Sequence, residues 1–106
     1  MKKERSLLFD LDSLVSKIGK DDYWTDFLKV RRMEAGVLRL RPGEEDTQEP
    51  HDDDELYFVA DGSGYIEMGG EKKPVKRGSI IFVPARMVHC FYGNKDTLVA
   101  LYVFAG

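Results

Sequence analysis

From Met33 onward, turn-forming residues punctuate the chain so closely that no stretch is left for a helix of several turns. Pro42-Gly43, Asp61-Gly62-Ser63-Gly64, Gly69-Gly70, Arg77-Gly78, Pro84 and Gly93-Asn94 follow one another at short intervals. Glycine supplies the left-handed backbone that tight turns need, and proline cannot donate to a ladder. The segments between them read as strands. Gly36 to Arg41 alternates apolar and polar, the period of a half-buried strand. Glu55 to Ala60 is rich in β-formers, with Tyr65 to Met68 as its return. Pro74 to Lys76, Ser79 to Val83, His89 to Tyr92 and Thr97 to Phe104 complete the set. Seven or eight short strands without a long helix predict an all-β sandwich or barrel.

The first 30 residues have a different texture and are taken as an N-terminal arm packed on a body spanning 31-106. Within the arm, SLLFDLDSLVSKIG predicts a short strand followed by a helical turn that Gly19 stops. Trp24, Phe27 and Leu28 fit either one face of a short helix or the packing side of a strand. A chain of 106 residues supports one core and not two.

Bulk charge narrows the partners. The net charge of -3 gives no reason to expect nucleic acid or an acidic membrane surface. No stretch approaches the ~20 apolar residues of a membrane span, and Asp10 and Asp12 interrupt the start too early for a signal peptide. The lone Cys90 cannot close an intramolecular disulfide, so a cytoplasmic protein is expected.

One group of residues carries chemistry. Glu49, His51 and Glu55 are spaced by even numbers, so in an extended segment they face the same way. Two carboxylates and an imidazole on one buried face are costly unless paired. A divalent cation takes these donors and removes the cost. His89 lies 34 positions beyond Glu55 on another strand, and barrel closure would bring it opposite. Taken singly, His51 reads as a solvated loop residue and His89 as a hydrogen-bonded core histidine. The run Asp52-Asp53-Asp54 reads as a solvated turn and lacks the spacing and glycine of a calcium loop.

The joint pattern reads Gly43-x5-Glu49-x-His51-x3-Glu55-x6-Gly62, then, 15 residues on, Gly78-x5-Pro84-x4-His89. It resembles the two motifs of the cupin superfamily. The first is glycine, five residues, His-x-His, three or four residues, glutamate, six residues, glycine. The second is glycine, five residues, Pro-x-Gly, two residues, histidine, three residues, asparagine. The resemblance covers residues 36 to 104. It implies a jelly-roll-like cupin barrel with a metal near its mouth. His51, Glu55 and His89 match the family's ligand positions, and Glu49 stands where its first histidine is usual. Arg86 replaces the glycine of the second motif. Gly93 stands at its asparagine, with Asn94 one place late.

A carboxylate at position 49 makes the site harder and more negative, which suits iron, manganese, zinc or nickel as divalent ions. Without Glu49, the set His51, Glu55 and His89 is the two-histidine, one-carboxylate face of non-haem iron oxygenases, with Gln48 as a weak substitute. Tyr57 and Val59 continue the Glu55 face, and Phe91 and Phe82 accompany His89. Tyr57 and Glu49 are the candidates for proton transfer; Val59 and Phe82 are expected to fill the barrel. Arg39 and Arg41 suit a carboxylate or phosphate ligand, against the plainer reading of an exposed charged face. A small metalloenzyme acting on a small organic substrate follows, dioxygenase-like or sugar/keto-acid isomerase-like. The competing reading is a metal or metabolite binder without turnover. A homodimer is expected, because the edge strands of a small barrel invite pairing.

Overall fold

The structure is a computed structural model that describes residues 6–106; the basic start, residues 1–5, lies outside them. One short helix, α1 (Leu11–Ser16), precedes eight strands: β1 (Trp24–Val30), β2 (Met33–Leu40), β3 (Asp54–Asp61), β4 (Ser63–Met68), β5 (Glu71–Lys76), β6 (Ile80–Val83), β7 (His89–Tyr92) and β8 (Leu98–Ala105). They form a five-stranded sheet, ordered β1-β2-β8-β3-β6, and a three-stranded sheet, ordered β5-β4-β7. Both are antiparallel throughout. The two remain separate sheets, so the barrel is jelly-roll-like rather than closed. The all-β expectation holds. Among the described residues no helix is long and apolar enough to cross a membrane.

Alternation places the core. Along β8, Leu98, Ala100, Tyr102 and Phe104 face inward, and along β3 Glu55, Tyr57 and Val59 do the same. They meet Ile66, Val75 and Phe91 of the smaller sheet in one cluster with Leu38 and Leu40. Phe82 does not join them. The β3–β6 register sets Glu55 against Val83 and Tyr57 against Ile81, so Val83 and Ile81 point inward. Phe82, paired with Leu56, points outward and is exposed.

Helix α1 is too short to stand without support. The Asp10 carboxylate accepts hydrogen bonds from the Ser13 backbone N–H (3.0 Å) and hydroxyl (2.9 Å), capping it. Leu14 and Ile18 then pack on Val37, on the outer face of β2. The helix ends at Ser16 with Lys17 as its C-cap, two residues before the expected stop at Gly19. Trp24, Phe27 and Leu28 lie on a strand, β1, which pairs with β2.

Two glycines have structural reasons. A Cβ on Gly36 would collide with the Tyr102 phenol, its cross-strand partner, and with the Thr25 carbonyl. Gly62 has φ of 80° and lies against the Thr97 carbonyl. Both demands select glycine there.

Candidate metal centre and pocket

Glu55 enters β3 on the inner face and His89 begins β7 in the opposite sheet, so sheet-on-sheet packing brings them together. His89 Nε2 stands 3.0 Å from Glu55 Oε1, and the residues are only 4% and 2% exposed. A protonated His89 closes this gap as a hydrogen bond to Oε1, while Oε2 has no donor. With His89 neutral and its proton on Nδ1, Nε2 and the carboxylate are instead two ligand atoms facing one point. The His89 ring is held from its far side, where Nδ1 lies 2.9 Å from the Met87 carbonyl oxygen. An Nδ1–H donated to that carbonyl leaves Nε2 free for a proton or a cation. Burial lowers the His89 pKa, but Glu55 and the Met87 carbonyl outweigh it, so the net shift is upward.

Behind this pair runs a chain of buried polar groups. The Tyr57 hydroxyl lies 3.1 Å from His89 Nε2 and donates to Gln48 Oε1 at 2.9 Å. Gln48 Nε2 donates to Asp46 Oδ2 at 2.8 Å, and the Phe91 backbone N–H donates to the same oxygen at 2.8 Å. Burial, joined by the charges of Glu55 and Asp46, pushes the Tyr57 pKa well above its ordinary value. The phenol therefore stays protonated and acts as a fixed donor. Gln48 faces this chain through its amide. No sequence motif marks Asp46. Its decisive partner, Phe91, is 45 residues away, so no local spacing announces it.

A cavity of about 490 Å³ opens beside Glu55. Its walls include Glu49, His51 and Gln48 from the loop before β3, Trp24 and Asp26 of β1, Glu34 and Leu38 of β2, and Tyr102 and Phe104 of β8. The half-buried His51 ring packs on Phe104, with centroids 4.4 Å apart, and its centroid is 6.3 Å from that of His89. Glu49 is exposed at the wall. The Tyr102 hydroxyl donates to Asp26 Oδ1 at 2.6 Å. Burial, then Asp26, drives its pKa far upward. Asp26 and Tyr102 were not singled out by sequence reasoning, and Trp24 only as a packing residue, because the three become neighbours only through the β1-β2-β8 pairing.

Four other residues noted in the sequence have structural roles. Arg39 Nη2 donates to the Asp22 carbonyl at 2.8 Å, and Arg41 Nη1 donates to the Lys20 carbonyl at 2.7 Å. Both guanidinium groups thus hold the loop between α1 and β1, and neither lines the cavity. Asn94 is buried, donating through Nδ2 to the Leu40 and Asp96 carbonyls, each at 2.9 Å. Arg86, at the family's glycine position, has φ of 67°. Left-handed backbone costs a non-glycine residue about 1–2 kcal/mol. Its N–H donates to the His51 carbonyl at 2.6 Å, tying the loop before β7 to the loop carrying His51.

Among the described residues, no three His, Cys, Asp or Glu side chains already form a group close enough to hold a metal ion. Two of the four expected ligands, Glu55 and His89, do meet, while Glu49 and His51 stand at the cavity wall. Glu55 presents two buried oxygens, one of them 3.0 Å from Nε2 of His89 and the other without a donor. A buried carboxylate oxygen without a donor is costly, and a cation is the usual remedy.

The fold and this inward-facing histidine–carboxylate pair define a small barrel protein of the cupin type. The chain matches the Cupin domain family over residues 36–105 and belongs to it. It is 39% identical, over 92% of its length and 93% of the other's, to an uncharacterized protein of Streptomyces coelicolor. It is also 38% identical over 67 residues to a 5-nitrosalicylic acid 1,2-dioxygenase of Bradyrhizobium. That match takes in 61% of this chain and 32% of the enzyme, so the chain spans about a third of that relative. Among solved structures, a Cupin 2 conserved barrel domain protein from Leptotrichia buccalis superposes with a TM-score of 0.78 at 19% identity, covering 92% of this chain and 47% of that one. At that identity the likeness speaks for the fold alone.

Proposed function

We propose that this protein is a metal-binding cupin whose cavity takes a small organic molecule, with dioxygenase-like chemistry as the leading activity. The observation that carries this is the buried pair of Glu55 and His89, two potential ligands 3.0 Å apart at the edge of a cavity that His51 also lines. His51, Glu55 and His89 would hold the cation, with Glu49 as a weaker contributor from the wall. Such a cation polarises a substrate oxygen or, as iron, brings O₂ to the substrate. The protein's own share is positional. Met87 fixes the His89 ring, the Tyr57 hydroxyl oxygen stands against its Nε2 while donating to Gln48, and Phe104 backs His51. The partial match to 5-nitrosalicylic acid 1,2-dioxygenase supports oxygenase over isomerase chemistry. In the isomerase alternative, Glu49 is the proton acceptor, since Tyr57 does not line the cavity. That same absence favours the second reading, a metal or metabolite binder without turnover.

Elemental analysis of protein purified without chelator tests the proposal. Stoichiometric iron, manganese, zinc or nickel is expected. His51→Ala, Glu55→Ala and His89→Ala should each lose it, whereas Glu49→Ala should retain it with affinity weakened about tenfold, the scale of a supporting contact. A wild-type protein that takes up no metal on reloading, or a Glu55→Ala variant that binds like wild type, would overturn it.

Self-association belongs to the same proposal. The outer face of β3 and the edge strand β6 exposes Leu56, Phe58, Ile80 and Phe82, and the arm exposes Leu7 and Leu8. A second copy of this chain is the proposed cover for that edge. Light scattering should report a dimer that Phe82→Lys shifts toward monomer; a wild-type monomer at micromolar concentration would refute it.

A further inference from the structure

We infer that Asp46 is a positioning residue: through Gln48 it turns the Tyr57 hydroxyl proton away from His89, so that Nε2 meets oxygen lone pairs. This rests on the reading of His89 as a metal ligand, and it names what keeps that ligand atom open. The direction of the chain follows from what each group can give. An ionised carboxylate accepts hydrogen bonds and donates none. Asp46 is buried and accepts three: from Gln48 Nε2 at 2.8 Å, from the Gln48 backbone N–H at 3.4 Å and from the Phe91 N–H at 2.8 Å. The Gln48 amide therefore points its nitrogen at Asp46 and its oxygen at Tyr57. An amide oxygen only accepts, so the phenol donates to it, at 2.9 Å. A hydroxyl has one proton. With that proton committed to Gln48, the phenol oxygen presents lone pairs to Nε2, 3.1 Å away. Glu55 Oε1 stands 3.0 Å from the same nitrogen. Two electron-rich oxygens thus face Nε2, and the space among the three atoms calls for positive charge, a proton or a cation.

The opposite direction would close the site. A Tyr57 hydroxyl free to turn has two other acceptors beside it, His89 Nε2 and the Glu55 carboxylate. A proton donated to either would occupy a lone pair that a cation needs. Groups behind a metal ligand set its orientation and basicity in this way. Topology supplies the anchor. Strand β7 is the edge of the smaller sheet, with β4 on one side, and the Phe91 N–H looks out from the other. Asp46 stands there in place of a further strand. Tyr57 belongs to β3 of the larger sheet, so the chain of hydrogen bonds ties one sheet to the other through the loop that also carries His51.

Two measurements test this, one without metal and one with it. In the metal-free, nitrogen-15-labelled protein, NMR coupling across a hydrogen bond reports whether the Tyr57 hydroxyl proton lies on the line to Nε2. Wild type should show no such coupling, and Asp46→Ala and Gln48→Met should each create it. Zinc ion is then titrated calorimetrically into chelator-treated protein. Gln48→Met and Asp46→Ala should each weaken binding by about tenfold. Adding Tyr57→Phe to either variant removes the intruding proton and should recover most of that loss, a reversal that a merely structural role would not produce. Gln48→Met leaves the bond between Asp46 and Phe91 in place, so it carries the test even if Asp46→Ala does not fold. A hydroxyl coupling to Nε2 in wild type, zinc binding undiminished in Gln48→Met, or a loss that Tyr57→Phe does not recover would overturn the inference. A wild-type protein that takes up no zinc would count against the metal reading, while the NMR coupling would still decide the direction of the chain.

Discussion

Replacing Glu55 with leucine is expected to stabilise the metal-free protein by about 1–3 kcal/mol and, in the same molecule, to abolish cation uptake. Two terms with opposite sign meet at this residue. In the absence of a cation, the buried carboxylate has His89 Nε2 beside one oxygen and no donor on the other, and its neighbours include Tyr57 and Phe104. Leaving such an oxygen unpaired costs about its desolvation penalty, and an apolar side chain of similar size relieves it. With a cation, the same carboxylate is the charged ligand, and leucine offers nothing in its place. Denaturant titration in chelator should show a higher midpoint for Glu55→Leu at unchanged slope. A lower midpoint would mean that the carboxylate has stabilising partners in the metal-free protein and that the site is not strained in that state.

The second large effect is expected at Gly36, far from the motifs in sequence. Gly36→Ala should destabilise the protein by about 3 kcal/mol, the upper end of the usual range for overpacking. The added methyl would meet the Tyr102 phenol and the Thr25 carbonyl. The carbonyl belongs to a paired strand and cannot turn aside, so the phenol must move. Moving it breaks the Tyr102–Asp26 hydrogen bond of 2.6 Å, which holds two cavity-lining residues together. Thermal and denaturant unfolding measure the loss. A stability within about 0.5 kcal/mol of wild type would show that β1 and β2 can part at little cost.

Much of the fold was legible because it depends on local rules. Turn residues marked where strands stop, and alternation correctly turned Glu55, Tyr57 and Val59 to one side and His89 and Phe91 to another. What stayed hidden depends on register and on the approach of distant segments. Phe82 sits in an apolar run with no alternation to orient it, and only its pairing with Leu56 turns it outward. Asp46 looks like its acidic neighbours until the Phe91 N–H, a donor on another strand, is brought to it. Arg39 and Arg41 have the chemistry of anion binders, but the loop carbonyls that occupy them are invisible in the sequence.

Glu55 belongs to the larger sheet and His89 to the smaller. Main-chain ladders fix positions within each sheet, while side-chain volume in the shared core sets the gap between them. Ile66, Val75 and Phe91 act as shims there. Trimming or thickening one of them would slide the imidazole relative to the carboxylate by fractions of an ångström without altering any residue in the cavity wall. Grip on an occupant can therefore be tuned from behind, through the hydrophobic filling between the sheets.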